Sequence, residues 1–289
     1  MLSRRLGVID LDEAKLAPEL ELILASNPPP EVYSEYKTGT FRTYILRNPS
    51  GDANDSTFLA GQIQAQPTAL GLTTAYISSL IDRHFDVGRL IMARVNLLLD
   101  GLIYPHRDLV EFEGEGPQTV RLHLMLQTSP NSLHSEEQEV FKIDAGAVWY
   151  LNVNAPHSAV NWDNEARLSL VLDFHFEGGD FERLTRALGA PAEPVRMIRR
   201  PALSAAEHQS LESLAAIASA ATLPEVIGLL TKLHFTRRMG IDECLQWLAR
   251  IYENAPEAAE VKRLVRFLVQ AREPGERFHM AKSVSREMA

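Results

Sequence analysis

The sequence predicts an α+β fold, with a double-sheet jelly-roll core (a double-stranded β-helix) followed by a helical C-terminal domain. Three observations carry this. Short β-favouring runs follow one another from Leu90 to about Phe176, turns rich in Gly, Pro, Asn and Asp separate them, and the texture becomes helical after Gly178-Gly179-Asp180. Several short strands at close spacing build antiparallel sandwiches or barrels, not parallel α/β sheets. Pro191, Pro194 and Pro201 mark a connecting stretch near residues 178–200, so the expected domains are 1–180 and 195–289.

Taken in order, the chain opens with a strand over Gly7–Leu11 and a helix over roughly Asp12–Ala25, stopped by Asn27-Pro28-Pro29-Pro30. A second helix is expected over Thr73–Phe85, where Ile77, Leu80, Ile81 and Phe85 recur at helical spacing. The β runs are Leu90–Leu97, Val120–Leu126, Glu139–Ile143, Ala147–Leu151 and Arg167–Phe174. Ser204 with Glu207 has capping-box spacing and opens a helix striped by Leu211, Leu214 and Ile217. Further helices are expected over Leu223–Leu233, Asp242–Tyr252 and Pro256–Arg272. Their apolar stripes can pack on the β core, close a pocket or form a homodimer contact; the homodimer is the preferred assembly.

Bulk properties narrow the function. With 289 residues, 45% hydrophobic and 23% charged, the chain has an ordinary globular composition. A net charge of -9 argues against a nucleic-acid partner, because phosphate binding needs a basic face. No apolar run approaches the roughly 18 residues of a membrane span, and Asp10, Asp12 and Glu13 interrupt anything resembling a secretory signal. Cys244 is the single cysteine, in an apolar helical pattern, which fits a buried inert thiol and a cytoplasmic location.

Chemistry gathers in the β region. Pro105-His106-Arg107-Asp108 holds a His-x-Asp pair, and residues two apart in extended chain point to the same side. His157 follows the run Ala147–Leu151, and Arg167 comes ten residues later. Two histidines and one carboxylate on one face of iron(II) leave positions for a 2-oxo acid and dioxygen. Arg167 would pair with the distal carboxylate of 2-oxoglutarate, for which the planar guanidinium fork is suited. Singly these signals are weak; the ordered set is much less easily met by accident. A zinc hydrolase or a serine hydrolase fits less well, since neither H-E-x-x-H, a Cys pair nor G-x-S-x-G occurs.

On these residues the chain resembles the bacterial proline cis-hydroxylases of the proline 3-hydroxylase type, within the aspartyl/asparaginyl β-hydroxylase superfamily. The matching pieces are Pro105–Asp108 with Glu111-Phe112, Arg121–Leu126, His134–Glu137, Gly146–Leu151, His157–Asn161 and Arg167–Phe174. Leu6-Gly7 through Leu11-Asp12 and Leu229–Phe235 extend the likeness over most of the chain. The resemblance implies a cupin-like jelly-roll core with a helical C-terminal domain. It implies iron(II) on His106, Asp108 and His157, and 2-oxoglutarate held by Arg167, with Arg121 and His123 lining its pocket. It implies hydroxylation of a free cyclic amino acid, with oxygen consumed and succinate and carbon dioxide released. The chain departs from the family pattern at Asn152, in the strand Arg94–Leu97 and at His175, positions that bear on the substrate ring and the carbon attacked.

L-Proline is the expected substrate, with hydroxylation at C3 on the cis face; pipecolate or another free amino acid is the alternative. Arg94 and Arg107 are candidates for the substrate carboxylate, although each could equally face solvent or turn from the iron. A peptide or carrier-bound side chain would demand a long groove instead of a closed pocket. A jelly-roll metal-binding regulatory protein is the reading that involves no enzyme. His134 is expected in a loop, Trp149 in the core, and Trp162 at the pocket mouth or over apolar surface. Asn161 and Ser158 are candidates for orienting ligands, and His84, His208 and His279 are read as surface or helix residues.

Overall fold

The computed structural model describes residues 1–29, 37–56, 64–108, 118–176 and 180–269. Pro30, Glu111-Phe112, Gly178-Gly179, His279 and the end of the last expected helix lie outside the described residues.

Ten strands form one antiparallel sheet that curls on itself: β1 (Arg4–Val8), β2 (Lys37–Asn48), β3 (Gln66–Pro67), β4 (Leu90–His106), β5 (Gln118–Gln127), β6 (Ser132–Glu136), β7 (Glu139–Phe141), β8 (Ala147–Tyr150), β9 (His157–Asn161) and β10 (Arg167–Phe176). This is the jelly-roll core, built as a continuous sheet whose two arms share one long strand. Along the sheet the order is β1-β8-β5-β10-β4-β9-β6-β7, with β2 on the other edge of β4 and β3 beyond it. The first half of β4 pairs with β10, Arg167 standing opposite Leu98, and its second half pairs with β9, His106 standing opposite His157. Between the halves sits Asp100, with φ at 41°.

β4 runs past the expected end at Leu97 to His106, so His106 belongs to the strand instead of following it. Four strands were not anticipated: β2, β3, β6 and β9. The first, KTGTFRTYILRN, had a readable β-branched and aromatic content. β3 has two residues and β6 and β9 only five each, too short for alternation to separate them from loop.

The helices follow their local signals closely. α1 (Glu13–Ala25) starts where the Asp12 side chain accepts from the Lys15 N–H, and it buries Leu16, Leu20 and Ile23 although Pro18 lies inside it. A short α2 (Ala69–Thr73) precedes α3 (Ala75–His84), which buries Ile77, Leu80 and Ile81. α4 (Ala205–Ser213) begins with the expected capping box of Ser204 and Glu207. α5 (Leu223–Thr236), α6 (Ile241–Ile251) and α7 (Ala258–Val269) complete the C-terminal part.

Two cores result. One lies between α1, α3 and the sheet, with Tyr44, Val95, Leu122, Leu170 and Phe174 among its buried residues. The other joins the C-terminal helices to the second arm of the sheet, where Leu102, Tyr104, Val140 and Val160 meet Leu223, Ile227, Phe235 and Leu264. Each such buried side chain contributes about 1.5–3 kcal/mol. β4 therefore anchors both cores.

Candidate metal centre

The shared strand delivers its last residue to the site. His106 ends β4 and stands directly across from His157, which opens β9. Their ring centroids are 4.4 Å apart. Asp108, two residues on, leaves the sheet, and its backbone N–H donates to the Val153 carbonyl over 2.9 Å. One oxygen of its carboxylate, Oδ1, lies 3.2 Å from His106 Nε2 and 3.6 Å from His157 Nε2. All three donor atoms fall within 4.8 Å of one another.

Hydrogen bonds orient both imidazoles. His106 Nδ1 donates to the Tyr104 carbonyl over 2.7 Å, and His157 Nδ1 to the Ala155 carbonyl over 3.0 Å. With Nδ1 protonated, each Nε2 keeps its lone pair and turns it toward the same space. Burial pushes the His157 pKa down to about 4, aided by neighbouring His106, so the ring is neutral at ordinary pH. Burial opposes the charge on Asp108, but the Arg121 guanidinium and the two imidazoles outweigh it and hold the carboxyl well below the usual carboxylate range. Two imidazoles and one carboxylate form a donor set that fits iron(II).

Behind Asp108 runs a chain of charges on the first arm of the sheet. Arg121, on β5, donates through Nη1 to Asp108 Oδ2 and through Nε to Asp173 Oδ1 at 2.6 Å. Arg94, on β4, pairs with Asp173 Oδ2 at 2.8 Å. Asp173 is fully buried in the middle of β10. An aspartate inside the run RLSLVLDFHF was the sequence signal for this pair, and it went unread.

Arg167 opens β10 and is buried, donating from Nη1 to the Leu133 carbonyl over 3.1 Å. No carboxylate pairs with it among the described residues. Burial lowers its pKa to about 10. A buried guanidinium without a counter-ion is costly unless an anion completes it, which suits a dicarboxylate co-substrate. His123 and His134 lie close enough to feel this charge, and burial first, then neighbouring arginines (Arg121 for His123, Arg167 for His134), hold both neutral. Each keeps one buried ring nitrogen without a hydrogen-bond partner, Nε2 of His123 and Nδ1 of His134. The other nitrogen of His123 meets Ser169 Oγ at 3.0 Å.

His134 corrects the loop expectation: it sits in β6, buried, with its ring 6.0 Å from that of His157. Arg107 donates through Nε to the Asn154 carbonyl, toward the loop that leads into β9. Trp149 is core, stacked on Phe141 at 4.8 Å, and Trp162 lies edge-on to Phe235 over apolar surface. Asn161 and Ser158 brace backbone, donating to Leu98 and Glu165 carbonyls and to the Ile103 carbonyl respectively. Cys244 is buried, which pushes its thiol pKa up and suits an inert role.

Comparison with known proteins adds to this geometry. Residues 19–176 match the family model described as aspartyl/asparaginyl beta-hydroxylase. The chain belongs to the aspartyl/asparaginyl β-hydroxylase family. Residues 183–276 match the model described as the C-terminal part of L-proline 3-hydroxylase. Among curated relatives, L-proline cis-3-hydroxylase 1 of a Streptomyces species is 32% identical, over 97% of this chain and 99% of its own. L-proline cis-4-hydroxylase of Rhizobium meliloti is 28% identical, over 94% of this chain and 97% of its own. Among solved structures, HygX from Streptomyces hygroscopicus with nickel and 2-oxoglutarate bound matches at a TM-score of 0.36 and 10% identity, covering 64% of this chain and 90% of that one. As a member of this family, the protein is an iron(II)- and 2-oxoglutarate-dependent hydroxylase. No helix among the described residues is long and apolar enough to cross a membrane.

Proposed function

We propose that this β-hydroxylase family member acts on free L-proline, adding hydroxyl at C3 on the cis face. One 2-oxoglutarate and one dioxygen are consumed; one oxygen atom enters hydroxyproline and the other enters succinate, with carbon dioxide released. The observation that carries this is the near full-length match to the cis-3-hydroxylases, 32% and 31% identical over 97% of the chain, against 28% for the cis-4 enzyme.

His106, Asp108 and His157 would hold iron(II), and Arg167 the distal carboxylate of 2-oxoglutarate. Iron(II) with these two co-substrates supplies the oxidising power to attack an unactivated C–H bond. The chain's own residues hold and exclude. Arg121 takes Oδ2 of Asp108 and so leaves Oδ1 to the metal, a supporting role beside the 2-oxoglutarate one expected for it. Neutral His123 and His134 offer ring nitrogens beside Arg167 without adding charge. Arg94 and Arg107 are the candidates for the substrate carboxylate; Arg94 would share its guanidinium with Asp173, and Arg107 with the Asn154 carbonyl.

The single buried cysteine fits a reducing compartment, and we place the protein in the cytoplasm. Incubation with iron(II), ascorbate, 2-oxoglutarate and either proline or pipecolate, with product assignment by NMR, tests the substrate. cis-3-Hydroxyproline is expected. Exclusive 4-hydroxylation, or turnover of pipecolate without proline, would replace this reading with its neighbour. No succinate above background with any amino acid would remove it.

A further inference from the structure

We propose that the C-terminal helices act as a positioning clamp on the metal motif, with Tyr104 as the positioning residue. The inference rests on the reading that His106, Asp108 and His157 hold the metal.

The ladder between β4 and β9 is interrupted just before His106. Ile103 pairs with Ala159, and then the register shifts before His106 meets His157. Tyr104 and Pro105 fill that irregularity, and Pro105 has no N–H to give. The strand end that carries a metal ligand is thus weakly held by the sheet alone.

Two hydrogen bonds to the C-terminal helices tie down this weak point. Tyr104 is buried and its hydroxyl donates to the Pro224 carbonyl in α5 over 3.1 Å. The Tyr104 carbonyl in turn accepts from His106 Nδ1. One residue therefore joins a helix to the edge of the imidazole opposite Nε2. On the far side of His106, the Arg107 backbone N–H donates to the Leu268 carbonyl in α7 over 2.8 Å. α7 is seated by buried Val261, Leu264 and Leu268. His106 is bracketed between α5 and α7.

Metal affinity should feel the clamp. Mn(II) binding, followed by electron paramagnetic resonance on the full-length protein, is the measurement. Tyr104→Phe keeps the ring and removes the hydroxyl; it should weaken Mn(II) binding about tenfold, the low end of what lost support for a ligand histidine costs. Tyr252→Phe is the matched control: it also removes a buried hydroxyl, one that serves Ser219 and Thr222 within the helices. It should leave Mn(II) affinity unchanged. Leu264→Ala, which loosens α7, should weaken binding more than Leu211→Ala, a similar truncation in α4.

Wild-type affinity in both Tyr104→Phe and Leu264→Ala would overturn the clamp, provided His157→Ala has lost the metal. Equal losses in Tyr104→Phe and Tyr252→Phe would also overturn it, as general loosening. If wild type binds Mn(II) no better than His157→Ala, the metal reading itself falls and takes the clamp with it.

Discussion

His106 and His157 are cross-strand partners on β4 and β9, with ring centroids 4.4 Å apart and both Nε2 atoms turned toward Asp108 Oδ1. Register sets the backbone spacing of the pair, and the Nδ1 bonds to the Tyr104 and Ala155 carbonyls hold the two rings in their orientations. Asp108→Asn keeps the shape and removes the charge. Mn(II) affinity is expected to fall at least as far as the ~10–100-fold typical of losing a ligand's support. Binding within threefold or so of wild type would mean that Asp108 is not a ligand.

Arg167 should govern the co-substrate. Its guanidinium has a carbonyl but no acid to serve among the described residues. Hydrogen bonds to charged groups are worth about 1.5–3 kcal/mol, so Arg167→Met should raise the KM for 2-oxoglutarate about 10–100-fold. Steady-state kinetics with varied 2-oxoglutarate and saturating amino acid reads this. A rise confined to the amino-acid KM would move Arg167 to the substrate.

Acid should destabilise the metal-free protein through buried His234. Its Nδ1 serves the Met239 carbonyl at 2.8 Å, its Nε2 has no partner, and burial lowers its pKa from 6.5 to about 4. Between those values the unfolded chain holds a proton that the folded ring refuses, so stability falls as pH falls and levels off below the folded pKa. The loss is on the order of 3 kcal/mol. Urea midpoints from neutral pH down to pH ~4 should drop more steeply for wild type than for His234→Asn. Parallel curves would assign the acid sensitivity elsewhere.

Gly39 tests the strand that backs the site. It has φ at +74°, and a Cβ there would be driven into the Asp100 carbonyl at the bend of β4. Gly39→Ala is expected to cost about 1–3 kcal/mol, with a lower melting temperature. An unchanged melting temperature would show that β2 can shift without disturbing β4.

Much of this molecule was legible before folding. Helix starts were readable because their signals are local: Asp12 and Ser204 cap the turns they precede. The cluster of His106, Asp108 and His157 was readable because His-x-Asp brings two donors to one side, and the order of the remaining pieces narrowed the choice. β6 and β9 were not readable, since five residues carry too little alternation, and with them went the place of His134.

Local chain chemistry determined the helices, the antiparallel β texture and the inventory of candidate metal-binding and anion-binding groups. Tertiary structure alone decided that His106 faces His157, that Arg121 divides its fork between Asp108 and Asp173, and that Arg167 meets no acid among the described residues. Those outcomes depend on strand register and on burial of charges far apart in the chain. Both arise only when distant segments exclude water together.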